Sequence, residues 1–167
     1  KTMNLPAGVT RILGKSVKSF DAKKDLDDLS AADFSGYVVE SLFGESGVEE
    51  SAVLFRQGQG MGAVYEYYGL KQTLNGDEAV VHVMNGFLSE FGVLDMVDLS
   101  IQQVDLVTAF NPQIKLSKPI LKGQFKPLVK DSFDATLAKK IGPAKEVESA
   151  SKESLFKRFG LAGIEGR

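Results

Sequence analysis

The strongest constraint in the chain is a pair of β-like runs separated by a glycine-rich turn. Residues 51–57 and 61–68 are rich in β-branched and aromatic side chains, and Gly58-Gln59-Gly60 lies between them. This spacing predicts a β-hairpin whose glycines take positive φ. Because side chains alternate along a strand, Val53 and Phe55 lie on one face of the first arm, and Ala52 and Leu54 lie on the other. In the second arm, Tyr65 and Tyr67 lie on one face, and Val64 and Tyr68 lie on the other.

Both faces of the predicted hairpin are therefore apolar. A sheet that has apolar side chains on both faces has to be covered on both. We expect a helix on one face, and another subunit or the C-terminal tail of the chain on the other.

Further strands and helices surround the hairpin. Strands are predicted over 9–13, 37–43 and 93–99, and helices over 21–34, 77–88 and 101–110. Asp21 can cap the first helix, and Ser100 and Gln103 have the spacing of a capping box. The pattern predicts an α+β domain over residues 3–112, with a small antiparallel or mixed sheet, the hairpin at its centre, and helices packed on it.

The formal net charge of −2 conceals a division of the chain. Residues 1–112 contain 8 basic and 16 acidic side chains, whereas residues 113–167 contain 12 basic and 6 acidic ones. The sequence thus predicts an acidic body and a basic tail over 113–160. An extended arm is expected over 113–127. A helix with the stripe Val129, Phe133, Leu137 and Ile141, a linker over 144–150 and a short helix over 151–159 follow.

The tail lysines alternate with large apolar residues, which favours docking of the tail on its own body or on a neighbour. Lys118, Lys122 and Lys126 are the candidate contact residues. Nucleic-acid binding through these lysines is a less favoured alternative. Met3 resembles a natural start, and Ile-Glu-Gly-Arg at 164–167 is typical of a protease-recognition remnant of an expression vector, so the outermost residues carry no functional argument.

The composition excludes several classes of chemistry. The chain has no cysteine and a single histidine, His82, which rules out thiol nucleophiles, thiolate metal sites and sites with two histidine ligands. His82 is expected on the polar side of its helix beside Glu78. No carboxylate constellation is evident, so the sequence predicts no catalytic, cofactor-binding or metal-binding residue and no enzyme. A chain without cysteines, a secretory signal or a membrane-length apolar run is expected in the cytoplasm, away from membranes.

Two glycine motifs resemble nucleotide-binding loops without meeting their requirements. Gly14-Lys15-Ser16 lacks the glycine five residues before Gly14, where Val9 stands. Gly58, Gly60 and Gly62 lie between two strands, whereas a dinucleotide fingerprint opens a helix. Turn glycines are the favoured interpretation, and a small-ligand pocket beside Gly58–Gly62 stays open as an alternative.

Several segments resemble a known family. They are Phe34-Ser35-Gly36-Tyr37, Leu54-Phe55-Arg56-Gln57-Gly58, Gly62-Ala63-Val64-Tyr65-Glu66-Tyr67, Leu74-Asn75-Gly76-Asp77-Glu78-Ala79, Leu99-Ser100 with Gln103, and the termini Met3-Asn4-Leu5-Pro6 and 154–161. Together they resemble an archaeal family of uncharacterised proteins that is similar to the PATAN domains of bacterial signalling proteins. The resemblance implies a small α+β domain without known chemistry, whose bacterial relatives act in protein–protein interaction.

These observations converge on one functional hypothesis. The chain is expected to be a non-enzymatic interaction module that binds a protein partner or a second copy of itself, with no cofactor. The candidate contact residues are Phe55, Tyr65, Tyr67 and Tyr68 of the hairpin and the three tail lysines 118, 122 and 126.

Overall fold

The predicted strands and helices assemble into one antiparallel sheet with helices on both of its faces. The computed structural model describes residues 5–141. Its strands are β1 Val9–Ser16, β2 Gly36–Gly44, β3 Gly47–Arg56, β4 Gln59–Tyr67, β5 Gln72–Asn75, β6 Gly92–Asp98 and β7 Lys115–Ile120. Its helices are α1 Ala22–Ala31, α2 Asp77–Gly86, α3 Ile101–Phe110 and α4 Leu137–Lys140. The predictions for Met3, 144–150, 151–159 and 164–167 lie outside the described residues.

The strand order is β1-β6-β2-β3-β4-β5, and β7 also pairs with β4. One edge of β4 is shared, since β5 pairs with its residues 64–67 and β7 with Gly60 and Gly62. All pairs are antiparallel. The α+β class, the antiparallel sheet and the central hairpin are therefore confirmed. The helix caps also form as predicted, because Asp21 accepts from the Lys24 amide and Ser100 and Gln103 make a capping box.

The hairpin turn is one residue earlier than predicted. Arg56 pairs with Gln59, so the turn consists of Gln57 and Gly58, both with positive φ. Two consecutive residues with positive φ define the type I′ turn that matches the twist of a hairpin. A register shift beyond Leu54 places Met61 as an extra residue in β4, the signature of a β-bulge.

Gly58 provides a direct test of this turn. It has φ +80°, and a Cβ there would lie 2.1 Å from the Ser30 carbonyl oxygen. Backbone strain at a positive φ alone costs about 1–3 kcal/mol. We expect Gly58→Ala to lower the free energy of unfolding by more than this, because a steric clash adds to the strain. Gly14→Ala is the matched control, with φ +64° and nothing within 4 Å of its Cβ. Equal losses in urea denaturation would contradict a role for the close approach to Ser30.

The two faces of the sheet carry separate apolar clusters. The inner face, defined by Val53, Phe55 and Tyr65, packs against α1, α2 and the start of the tail. The outer face, defined by Tyr37, Ala52 and Val64, packs against α3. Within the described residues the tail shares the inner face with two helices, and α3 covers part of the outer one. Cover of the rest of the outer face by another subunit or by later tail residues stays a prediction.

Residues 113–141 differ most from their prediction. The extended arm over 113–127 contains β7, in which Leu116 and Ile120 are buried and the other side chains are exposed. Beyond β7, Phe125 is completely buried and stacks on Phe55 with ring centroids 5.1 Å apart. The sheet and the inner core therefore continue past residue 112.

The helix predicted from the stripe at 129–141 is reduced to α4. Asn85 of α2 exchanges two hydrogen bonds with the backbone of Asp134, at 3.1 and 2.8 Å. The Asp134 carboxylate then accepts from the Thr136 amide at 2.9 Å and forms a turn. This side-chain turn replaces the helical backbone pattern before residue 137. Val129 and Leu137 are buried, whereas Phe133 is exposed.

Candidate interaction surface

The outer face is covered at one end by α3. Val104 and Val107 of α3 are buried there against Leu54, with Ile114 beside them. Arg56 forms a two-bonded ion pair with Asp105 of α3, at 2.8 and 3.3 Å. The pair raises the pKa of Arg56 and lowers that of Asp105, mainly through the hydrogen bonds. This half of the outer face is closed by the chain itself.

Beyond α3 no helix of the described residues packs on the outer face, although Ala52 and Val64 there are only 4% and 5% exposed. Direct strand pairing aligns Asp95, Val39, Ala52 and Val64 in one row across four strands. A groove of about 230 Å³ lies over this row. Its apolar lining consists of Leu5, Leu13, Tyr37, Val39, Ala52, Val64 and Val97. We call this surface the outer groove.

Acidic side chains border the outer groove. Glu50, Glu66 and Asp95 contribute to its lining, and no basic side chain does so among the described residues. Glu50 and Glu66 are paired directly across β3 and β4 on the same face. Like charges directly opposite each other destabilise a sheet. The Tyr68 hydroxyl donates to Glu50 at 2.6 Å, and the Gly14 amide donates to Asp95 at 2.6 Å.

The outer face carries further apolar side chains at the end of the sheet. Phe43 lies four residues beyond Val39 on β2 and therefore on the same face. It pairs with Val48 of β3, and the two side chains are 70% and 45% exposed. Leu13, at the β1 side of the groove, is 80% exposed. Between this pair and the row at Val39 lies a row of Ser41, Glu50 and Glu66, in which Val93 of β6 is the apolar residue.

The hairpin residues predicted to make contact are on different faces. Phe55, Tyr65 and Tyr67 are buried on the inner face, where the chain's own helices and tail cover them. They cannot contact a partner in this fold, so their prediction as surface residues is corrected. Tyr68 is exposed on the outer face, next to Glu50. Alternation identified the two faces correctly, but it does not reveal which face remains open.

A buried polar cluster on the inner face was not predicted. Glu40 is fully buried, the Ser51 hydroxyl donates to it, and burial raises its pKa well above the usual value. Tyr65 donates to Glu49 at 2.6 Å, and burial raises the pKa of both groups. The sequence signal was available, because Glu40 lies between Val38 and Leu42 on the inner side of β2.

The single histidine joins the same cluster. His82 Nδ1 lies 2.6 Å from the Tyr67 hydroxyl, and burial lowers the pKa of the imidazole. The prediction of an exposed imidazole is therefore wrong, since the ring packs against Tyr65 and Tyr67, although Glu78 still acts on its pKa in the opposite direction.

The tail lysines have different environments. Lys122 forms an ion pair with Asp33, just beyond α1, whereas Lys118 and Lys126 are exposed. Further along, Lys139 lies 3.6 Å from Glu45 in the β2–β3 turn, and Asp131 pairs with Lys23 of α1. The described part of the tail thus lies on the body of the same chain.

Two further findings concern residues 5–141. Within this range no group of three or more His, Cys, Asp or Glu side chains is placed to hold a metal ion. No helix of this part is both long and apolar enough to cross a membrane.

The fold and surface define a small α+β domain whose outer sheet face is half covered. Residues 3–111 match the family described as "Uncharacterized protein conserved in archaea (DUF2226)". The chain belongs to this family. No curated protein and no solved structure matches it.

Proposed function

We propose that the protein is a non-enzymatic protein–protein interaction module that binds its partner through the outer groove. One observation carries the proposal: α3 closes one half of an apolar sheet face, while the other half has a groove over Val39, Ala52 and Val64 and the exposed side chains of Leu13, Phe43 and Val48. Contiguous apolar surface bordered by polar groups is typical of protein interaction sites.

The groove favours a partner segment with apolar and basic side chains. Its floor is apolar, and its three carboxylates include the opposed pair Glu50 and Glu66. A cation placed between these two would relieve their repulsion. At about 230 Å³ the groove is smaller than most small-molecule pockets, which measure about 300–1,000 Å³, and suits a few side chains of a peptide.

The alternatives have less support. A Cβ at Gly60 would lie 3.1 Å from atoms of both Ile120 and Phe125, so the chain itself fills the space beside the Gly58–Gly62 segment. Nucleic-acid binding through the tail would compete with the ion pair of Lys122 and the acidic body beneath it. Self-association remains one form of the proposal, in which a second copy supplies the segment.

Three further points accompany the proposal. The resemblance to PATAN domains supports an interaction role, because those domains act in protein–protein interaction. A cytoplasmic location is proposed from the cysteine-free sequence. The absence of an enzymatic activity is supported by the burial of Glu40, Glu49 and Tyr65 on the inner face.

A pair of synthetic peptides tests the proposal. Both are amphipathic and share a Leu and Phe stripe, but one carries lysines and the other glutamates on the remaining positions. We expect the lysine peptide to bind the full chain and to shift NMR signals of Val39, Ala52 and Val64. Glu66→Lys should weaken this binding about threefold or more, the effect of a modest ion pair.

The matched control is Glu78→Lys, which makes the same charge change on exposed α2, on the opposite side of the sheet. It should leave peptide binding unchanged. A footprint away from the outer groove, or equal binding of both peptides, would overturn the proposal. Tighter, salt-dependent binding of a single-stranded oligonucleotide, lost in Lys118→Glu, would favour the nucleic-acid alternative instead.

A further inference from the structure

We infer that residues 151–161 of this chain bind in its own outer groove, as an internal ligand that a partner has to displace. This inference rests on the proposed role of the outer groove and names the first occupant of that surface. The structural observations that support it are the point at which the described chain ends, the length of the connection, and the matching chemistry of the two surfaces.

The described chain ends beside the open end of the outer face. Lys139 of α4 lies 3.6 Å from Glu45, which belongs to the turn between β2 and β3. The same turn follows Phe43 and precedes Val48, the exposed apolar pair on the outer face. The chain after Ile141 therefore starts at the end of the sheet that carries this exposed apolar pair.

The connection is long enough to reach the groove. Residues 142–150 form nine links, which extend to about 30 Å. From Phe43 to Val39, four residues along β2, is about 13 Å, and crossing from one side of a sheet to the other adds about 10 Å. A short connection of this kind gives an effective concentration of about millimolar, which favours binding within one chain over binding between chains.

The segment matches the chemistry of the groove. Its apolar residues Leu155, Phe156 and Phe159 share one side of the helix that the sequence predicts over 151–159. Lys152, Lys157 and Arg158 outnumber the single acidic residue of the segment, Glu153. The apolar side fits the floor at Val39, Ala52 and Val64, and the basic side chains face the carboxylates of Glu50, Glu66 and Asp95.

This arrangement regulates access to the surface. A partner segment has to compete with residues 151–161, so its apparent affinity is reduced by the fraction of chains whose groove is already occupied. Any event that removes the segment would raise the affinity for the partner without changing the groove.

A spin label in the full chain tests the inference. Because the sequence has no cysteine, Ala150→Cys provides a single labelling position. We expect the nitroxide to broaden the amide signals of Val39, Ala52 and Val64, and to leave Val81, which is exposed on α2, unaffected. Phe156→Asp should abolish the broadening. Ser154→Asp, which adds the same charge on the opposite side of the predicted helix, should preserve it.

The outcomes separate this inference from the proposed function. If both are right, the lysine peptide binds Phe156→Asp about tenfold more tightly than the unchanged chain, because the internal competitor is lost. Equal binding of the peptide at the outer groove, without broadening, overturns the inference alone. Absence of both peptide binding and broadening overturns both. Broadening seen only when labelled and isotope-enriched chains are mixed shows binding between copies, and this also overturns the inference.

Discussion

A chain that ends at residue 112 is expected not to fold. The missing tail supplies six buried apolar side chains to the two cores: Ile114, Leu116, Ile120, Phe125, Val129 and Leu137. The truncation also removes β7 from the edge of β4. Truncation of one buried aromatic side chain costs about 3–5 kcal/mol, and a typical domain has only about 5–15 kcal/mol to lose. Circular dichroism of the fragments 1–112 and 1–141 checks this, with cooperative unfolding expected only for 1–141.

Phe125→Ala in the full chain measures the same effect with one side chain. Phe125 is completely buried and stacks on Phe55, so we expect a loss of about 3–5 kcal/mol in urea denaturation. Leu128→Ala removes a side chain that is 40% exposed in the same short segment and should cost less than about 1 kcal/mol. A fragment 1–112 with the stability of the full chain would show that the tail contributes nothing.

The family match and the folded sheet end at different residues of this chain. The family match ends at residue 111, next to the point where the charge of the sequence changes sign. In the structure, β7 begins at Lys115 and joins the sheet. The boundary of the family match is therefore not a boundary of folding in this chain.

The central hairpin and the caps of α1 and α3 could be predicted because their signals are local. Strict alternation defines a strand, and a capping residue acts within one helical turn. β7 has a different composition because it lies at an edge, where Lys118 and Pro119 are tolerated on its exposed side. Its charge and proline resemble those of an extended arm. Its identity as a strand depends on pairing with Gly60 and Gly62, about 55 residues earlier, which no local pattern contains.

The candidate surface was predicted in chemistry but not in position. Tyr68 lies exposed on the outer side of the sheet, where partner binding stays a prediction, whereas Tyr65 and Tyr67 are buried on the inner side. Aromatic residues bury the largest apolar area, so the chain's own helices cover the face that carries them. The open groove contains smaller side chains, such as Val39 and Ala52, which are less conspicuous in a sequence.

Glu40→Gln is expected to stabilise the protein at neutral pH. Glu40 is fully buried, the Ser51 hydroxyl donates to one carboxylate oxygen, and Oε1 has no hydrogen-bond partner within the described residues. Burial is the main cause of its raised pKa, and the nearby Glu49 adds to the shift. A glutamine keeps the shape and the contact with Ser51 but carries no charge, so it removes the cost of either protonating or burying a carboxylate.

The contribution of Glu40 to stability changes with pH in a defined direction. An acid whose pKa is higher in the folded state binds more protons there, so stability is greatest below its unfolded pKa, near 4.5, and falls as the pH rises towards the folded value. We expect the unchanged chain to lose up to about 1.4 kcal/mol per pH unit above that point from Glu40, and Glu40→Gln to lack this slope. Burial raises the pKa of Glu49 in both proteins, so this part of its contribution is common to them, and only its interaction with the Glu40 charge differs. Glu90→Gln, which removes an exposed carboxyl group, is the matched control and should leave the slope unchanged. Urea unfolding of the three proteins between pH 4.5 and 8 measures the difference. A gap between Glu40→Gln and the unchanged chain that stays constant over this range would show that Glu40 is ionised in the fold throughout.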